Sequence, residues 1–356
     1  MSHDSLLARP SQTLCLCGAR GEAGAERGWT RILSLGFGLN VLAQALALSQ
    51  LPEAARLSAP SLERVGWPLA LLLLGAALAS LPAALLVDSF GRRAAFALGA
   101  SLGAAGGGLA AFAIAHTNFP ALCLGALWLG LAQGFALFYR HIAAPAGGGL
   151  AVLGGGALAA LAAPLVAGLG DRLGGGAGIV VSASLAYVAS LALALRLPHA
   201  FAEPAASGED FRLDARFVLA TGAGAAAWFV MASTMLHGPL TLSSVCGAAP
   251  GFVGGATALH LLAMYGPAAL AAQRPALFSP LRCVALGLGV MAGAYAVMAA
   301  AYSPLVIAFA MMAIGACWSL ANIGALRLLH ECSRPRAALA AHDLLLLLAA
   351  AAGALS

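Results

Sequence analysis

The sequence has no lysine and few charges of any kind. Charged residues make up 9% of the 356 residues, and all eighteen basic residues are arginines. A soluble domain carries about 25% charged residues, so this chain cannot cover a water-facing surface. Hydrophobic residues account for 62% of the chain, and the mean hydropathy is +0.93. These values exclude a soluble globular protein and indicate a chain that crosses a lipid bilayer many times.

Sequence motifs for phosphate, metal or nucleophilic chemistry are also absent. The glycine run at 106–108 lies inside an apolar segment and lacks the lysine of a phosphate-binding loop. The pair Cys15 and Cys17 offers too few ligands for a metal site. The arginines are scattered among short loops, which does not indicate nucleic-acid binding. We therefore expect no enzyme, no cofactor, no metal and no nucleic-acid partner.

Long, continuous apolar runs dominate the chain and favour helices over the alternating strands of a β-barrel. At about 1.5 Å per residue, runs of about 20 residues cross a bilayer core of about 30 Å. We predict an all-α membrane protein with about eleven transmembrane helices. The predicted spans are 31–51, 65–87, 94–115, 119–138, 149–169, 176–195, 217–236, 251–272, 282–301, 304–328 and 337–356.

The distribution of arginine predicts the orientation. With the N-terminus in the cytoplasm, fifteen arginines fall on the inner side, and only Arg56, Arg64 and Arg172 fall outside. Cytoplasmic loops carry an excess of Lys and Arg, so this asymmetry predicts a cytoplasmic N-terminus. An extra or missing helix would scramble the alternation, which supports the predicted spans.

The polar segments divide the chain into two halves. We predict a cytoplasmic tail at 1–30, a six-helix bundle at 31–195, a cytoplasmic linker at 196–216 and a bundle of about five helices at 217–356. The second half is shorter than the first, so a twelfth helix is expected to be missing from this sequence.

A short charged turn joins the second and third predicted spans. Asp88, Gly91, Arg92 and Arg93 follow an uncharged run, and the next apolar run begins at once. This turn, with Leu86 before it, resembles the loop between helices 2 and 3 of the major facilitator superfamily, whose pattern is G-x-L-x-D-x-x-G-R-[RK]. The resemblance implies two helix bundles around a central cavity, and a loop that helps to hold one side closed. Topology and turn formation alone are the simpler interpretation of the same residues.

The fourth span gives a second resemblance. Gln133 and Gly134 match the Q-G of the family's helix-4 motif, whereas Gly130 replaces the family's arginine and Arg140 follows at the end of the span. Because that arginine is linked to proton coupling in the family, coupling through this helix is not expected. The region also resembles a bacterial subgroup that includes riboflavin-transporter-like proteins.

Polar side chains inside the spans are costly in lipid and are therefore candidates for a substrate or proton site. Asn40 and Gln44 share one face of the first helix because they are four residues apart. Asp343 is the one acid inside a predicted span away from its ends, and a salt bridge to Arg327 is its structural alternative. Most of these polar groups are uncharged, which suggests a neutral or amphipathic substrate. The full candidate set is Asn40, Gln44, Gln133, Arg140, His260, Asn322 and Asp343.

The sequence thus predicts a monomeric secondary transporter in a bacterial inner membrane. It would move a small molecule by alternating access, driven by a proton or substrate gradient. The alternative is a protein of the same fold that does not transport and serves as an assembly or scaffold factor for another membrane complex.

Overall fold

The computed structural model describes residues 16–144, 147–197, 214–331 and 334–356. Within these ranges the chain is helical, with short turns and no strand. The central part of the predicted linker, 198–213, lies outside the described residues. The α-helices are α1 Leu16–Ser58, α2 Trp67–Ala115, α3 Phe119–Leu137, α4 Tyr139–Ala143, α5 Gly149–Ala194, α6 Ala215–Leu240, α7 Pro250–Gln273, α8 Pro280–Ala300, α9 Pro304–His330 and α10 Arg336–Leu355.

Nine helices in the described part of the chain are long and apolar enough to cross a membrane. Two of them, α2 with 49 residues and α5 with 46, are about twice as long as a bilayer core requires. Helix α2 breaks at Gly91 and helix α5 breaks at Gly174 and Gly175. Each therefore supplies two crossings, which gives the eleven spans that the sequence predicts.

The break at Gly91 has a backbone reason. Gly91 has φ 80° and ψ 165°, a region that is essentially restricted to glycine because a Cβ atom would clash there. The helix axis changes direction at this residue, and Asp88 lies within one turn before it. We call this the Asp88 turn (residues 88–93). Helix α1 begins at Leu16, well before the predicted span at 31.

Glycines let the helices approach closely, as lipid-embedded helices require. A Cβ atom on Gly130 of α3 would collide with the carbonyl oxygen of Leu72 in α2. No side chain fits at this position unless the two helices move apart. Gly103 of α2 likewise lies against the ring of Tyr187 in α5.

The helices form two groups. Helices α1, α2, α3 and α5 pack on one another, with the short α4 at the end of α3, and we call α1–α5 the first helix group. Helices α6–α10 form the second helix group through contacts of α9 with α6, α7 and α8, and of α6 with α10. The groups meet along two seams, α5 against α7 and α2 against α10.

The outer surface is apolar, as expected of a chain in contact with lipid. Leu165, Leu169 and Leu173 of α5 are each more than 60% exposed. Polar side chains such as Asn40 and Asp343 are instead buried between helices. This distribution is the reverse of that in a soluble protein and fits a multi-pass membrane protein.

Candidate functional site

A cavity lies between the two helix groups. It contains about 740 Å³ of empty space, part of it open to solvent. Helices α1, α2 and α3 line one side, and helices α6 and α7 line the other. Among the described residues, no charged side chain lines it. The cavity therefore suits an uncharged molecule.

Three of the candidate polar residues, Asn40, Gln44 and Gln133, line this cavity. The amide nitrogen of Asn40 donates to Oγ of Ser190 at 2.9 Å, and that of Gln44 donates to the hydroxyl of Tyr187 at 2.6 Å. These bonds fix both side chains. The amide oxygens of Gln44 and Gln133 are buried and have no hydrogen-bond partner within the described part of the chain. A buried acceptor without a partner is costly, so these oxygens are candidates to bind a substrate donor.

Aromatic rings form one wall of the cavity. The ring of Phe37 in α1 meets that of Tyr265 in α7 with centroids 6.0 Å apart. Tyr265 and Trp228 in turn contact Trp318, at 5.8 and 5.1 Å. We call Phe37, Trp228 and Tyr265, which line the cavity, the aromatic wall, and Trp318 packs behind it. Its rings offer apolar faces for a planar ligand.

Two other candidates, Asn322 and His260, are buried in the second helix group. The side-chain oxygen of Asn322 accepts from Nε1 of Trp228 at 3.1 Å, which orients that indole. His260 contacts the carbonyl oxygen of Met311 at 2.6 Å and the sulfur of Met231 at 3.2 Å. Neither side chain lines the cavity itself.

The remaining two candidates form an ion pair between the helix groups. Nη2 of Arg140 in α4 lies 2.5 Å from Oδ1 of Asp343 in α10, and both side chains are at most 3% exposed. Asp343 does not pair with Arg327, which instead donates to the carbonyl oxygens of Pro275 and Phe278. Leu137 lines the cavity, and Arg140 follows it by three residues. Arg140 therefore lies about one helical turn outside the cavity.

A second ion pair between the groups lies nearer the surface. Asp88 in the Asp88 turn pairs with Arg336, the first residue of α10. Arg336 precedes Asp343 by seven residues, so the two ion pairs are about 10 Å apart along α10. Arg92 faces the ring of Trp29 at 5.9 Å, and Arg93 follows it in a partly buried position. We call this side of the molecule the Asp88 end.

Ion pairs within the second helix group also lie at the Asp88 end. Arg334 pairs with Asp214 at 2.9 Å, and Arg216 pairs with Glu331 at 3.1 Å. Asp214 also caps α6 by accepting from the amide of Phe217 at 2.7 Å. This bond, together with Arg334, lowers the pKa of the Asp214 carboxyl below its ordinary value.

Sequence reasoning missed His141 and His330, which lie beside the inner ion pair. Nε2 of His141 lies 3.1 Å from Oδ2 of Asp343, and Nδ1 of His141 lies 3.1 Å from Nε2 of His330. Nδ1 of His342 lies 2.9 Å from the hydroxyl of Thr221. The available signal was weak: His141 follows Arg140 directly, and His330 ends an apolar span.

The helices are long enough to cross a membrane, and a cavity lies between the two helix groups. Ion pairs join the groups at one end of this cavity. These features are typical of a membrane transporter. Residues 33–139 match the family described as sugar (and other) transporter. The chain is 30% identical over 326 residues to the riboflavin transporter RfnT of Brucella anthropi. The aligned region covers 83% of this chain and 80% of that protein. The chain belongs to the major facilitator superfamily, in the group that includes this riboflavin transporter.

Solved structures agree with this fold. The human organic anion transporter MFSD10 superposes with a TM-score of 0.70 at 18% identity, over 93% of this chain and 92% of that chain. A D-xylose–proton symporter superposes with a TM-score of 0.69 at 16% identity, over 92% and 88%. The protein is thus a multi-pass membrane transporter of a small molecule, and not an enzyme. These findings favour transport over the scaffold alternative.

Proposed function

We propose that this protein moves a neutral, planar small molecule across the bacterial inner membrane by alternating access. The observation that carries the proposal is the buried ion pair between Arg140 and Asp343. It joins the two helix groups directly beneath a cavity that both groups line. For substrate to pass, this pair must form in one state and break in the other.

The two helix groups act as the two bundles that rock against each other in the transport cycle. Residues 196–216 form the linker between them. The Asp88 turn and Arg336 form an outer gate, and Arg140 with Asp343 form an inner gate. Arginine is concentrated at the Asp88 end, which supports a cytoplasmic position for this end and for the N-terminus. The described conformation is then closed towards the cytoplasm.

The chemistry of the cavity supports a substrate of the riboflavin type. A flavin offers a flat ring for the aromatic wall and ring N–H and hydroxyl donors for the amide oxygens of Gln44 and Gln133. The relative RfnT is named for riboflavin transport. A phosphorylated flavin would bring a charge of about −2 into a cavity without a cationic lining residue.

Counterflow in proteoliposomes tests the proposal. Vesicles preloaded with riboflavin should take up radiolabelled riboflavin in a saturable manner. Riboflavin 5′-phosphate and D-xylose should compete poorly, the first because of its charge and the second because it lacks an aromatic ring. Vesicles without protein serve as the control for leakage. Competition by riboflavin 5′-phosphate and D-xylose that equals competition by unlabelled riboflavin would contradict the proposed substrate class. An absence of any flux would contradict the transport of riboflavin.

A further inference from the structure

The seam between α5 and α7 depends on two glycines of α5. The two ion pairs described above both end on α10, whereas this seam is formed by α5 and α7. A Cβ atom on Gly154 would lie 2.7 Å from Cα of Ala269, and one on Gly156 would lie 2.5 Å from Cγ of Tyr265. The two helices therefore fit together here because these positions carry no side chain.

Tyr265 contacts the first helix group on two sides. Its ring lies directly on Gly156 of α5. It also meets the ring of Phe37 in α1 nearly edge to face, with centroids 6.0 Å apart and an angle of 74° between the ring planes. Tyr265 itself belongs to α7 in the second helix group, and it lines the cavity. One side chain thus touches the cavity and crosses the seam.

The contact between Phe37 and Tyr265 lies at the end of the cavity that faces the Asp88 end. Helix α1 runs away from the Asp88 end, where its Trp29 faces Arg92, and Phe37 is the first of its residues to line the cavity. Helix α6 starts at the Asp88 end, so α7 runs back towards it, and Tyr265 is the last residue of α7 that lines the cavity. The two rings therefore separate the cavity from the inner gate.

This position lets a bound substrate act on the closed seam. A ligand shifts a conformational equilibrium only if it binds the two states with different affinity. Arg140 lies about one turn outside the cavity, so a substrate in the cavity does not touch the inner gate. It does reach Tyr265. A planar ligand that stacks on Tyr265 in place of Phe37 needs the two rings to part, and the rings belong to different helix groups.

We propose that Tyr265, seated on Gly156, is a latch on the seam between α5 and α7, and that a planar substrate releases it. The substrate stacks on Tyr265, takes the place of the Phe37 contact and favours the state in which the ring has left Gly156. The requirement for a flat ring then acts on the opening of the seam as well as on binding. The inference rests on the proposed function and adds to it the residue through which the substrate loosens the closed state.

A distance measurement without substrate tests the latch. Spin labels are attached to Arg31→Cys in α1 and Gln273→Cys in α7, both exposed, in a variant without native cysteines. Pulsed electron spin resonance then reports the separation of the two helix groups. Gly156→Ala should add a population with a longer distance, because the new methyl group displaces the ring of Tyr265. The matched control Gly168→Ala, in the same helix with open space around it, should leave the distances unchanged.

A double variant separates the latch from a general packing defect. Tyr265→Ala should lengthen the distance as Gly156→Ala does. Gly156→Ala should add nothing in the Tyr265→Ala background, because no ring remains for the methyl group to displace. Unchanged distances in Gly156→Ala and Tyr265→Ala would overturn the latch, and so would additive shifts in the double variant. If Gly156→Ala does not fold, unchanged distances in Tyr265→Ala alone would overturn it.

Ligands of different shape test the release in the wild type. Riboflavin and lumichrome, which is a flat flavin-type ring without the sugar chain, should lengthen the distance. Ribitol, which has the hydroxyl groups of that chain and no ring, should not. The two variants should also differ in affinity. Gly156→Ala should lower the Kd for riboflavin, because binding no longer has to unseat the ring, whereas Tyr265→Ala should raise it through the loss of stacking.

The outcomes separate the latch from the proposed function. Riboflavin that binds in equilibrium dialysis without any change in distance would overturn the release by substrate. A higher Kd in Gly156→Ala would likewise contradict it. An absence of riboflavin binding to the wild type would count against the proposed function instead, and the measurements without substrate would still decide whether Tyr265 holds the seam.

Discussion

Arg140 and Asp343 are each at most 3% exposed, so the loss of one charge leaves the other buried without its partner. We expect Asp343→Asn to lower the free energy of unfolding by about 3–5 kcal/mol, the usual cost of breaking a buried pair. The midpoint of thermal unfolding in detergent measures this effect. Asp171→Asn, at an exposed acid in α5, should leave the midpoint nearly unchanged.

The double variant Arg140→Gln/Asp343→Asn separates the lost charge pair from a general packing defect. With both charges removed, no uncompensated ion remains, and the midpoint should recover much of the way to the wild-type value. Additive losses in the double variant would show that the pair does not stabilise the closed seam.

Gln133 presents a buried amide oxygen without a partner at the cavity. If this oxygen accepts a hydrogen bond from the substrate, Gln133→Leu should raise the Kd for riboflavin by about 2–10-fold, corresponding to about 0.5–1.5 kcal/mol. Stability should not fall, because a costly unpaired group is removed. Equilibrium dialysis with the exposed Gln273→Leu as a control measures the change. An unchanged Kd would place the substrate away from Gln133.

Polar residues inside apolar runs could be singled out from the sequence because lipid makes them rare. Asn40 and Gln44 stood out because an amide inside an apolar run needs a reason, and Gln133 matched the helix-4 motif. All three line the cavity. The partner of Asp343 could not be predicted, because Arg140 is 203 residues away along the chain and no local pattern links them. His330 was missed for the same reason.

Among the helices, the break in α2 depends on a single residue. Gly91→Ala should lower the free energy of unfolding by about 1–3 kcal/mol, since its backbone lies in a region that is essentially restricted to glycine. Gly108→Ala, in the same helix with open space around it, should be neutral or stabilising because alanine favours the helix. Thermal unfolding of the two variants measures the contrast. Equal effects would show that the turn does not need this conformation.

The positions of most spans could be predicted to within a few residues because lipid imposes length and hydropathy on each one, although α1 begins well before its predicted span. The spans predicted at 119–138 and 304–328 correspond to α3 and α9. The two spans predicted on either side of Gly91 correspond to the two crossings of α2. Hydropathy missed the short α4 that holds Arg140 and His141.

For the whole molecule, the sequence predicts two halves but not how they meet. The seams of α2 with α10 and of α5 with α7 depend on contacts between distant parts of the chain. Only the assembled structure shows that two ion pairs bridge the groups at the Asp88 end. The central claim is that these groups separate at the Asp88 end in every transport cycle.

Cross-linking across this end tests the claim most directly. In a variant without native cysteines, Ser89→Cys and Ala337→Cys, next to Asp88 and Arg336, are joined by a short thiol cross-linker that a reductant cleaves. Arg216→Cys and Glu331→Cys, which lie within the second group, give the matched control. We predict that riboflavin counterflow stops when the first pair is linked, returns on reduction and continues when the control pair is linked. Undiminished counterflow with residues 89 and 337 fully linked would contradict the account.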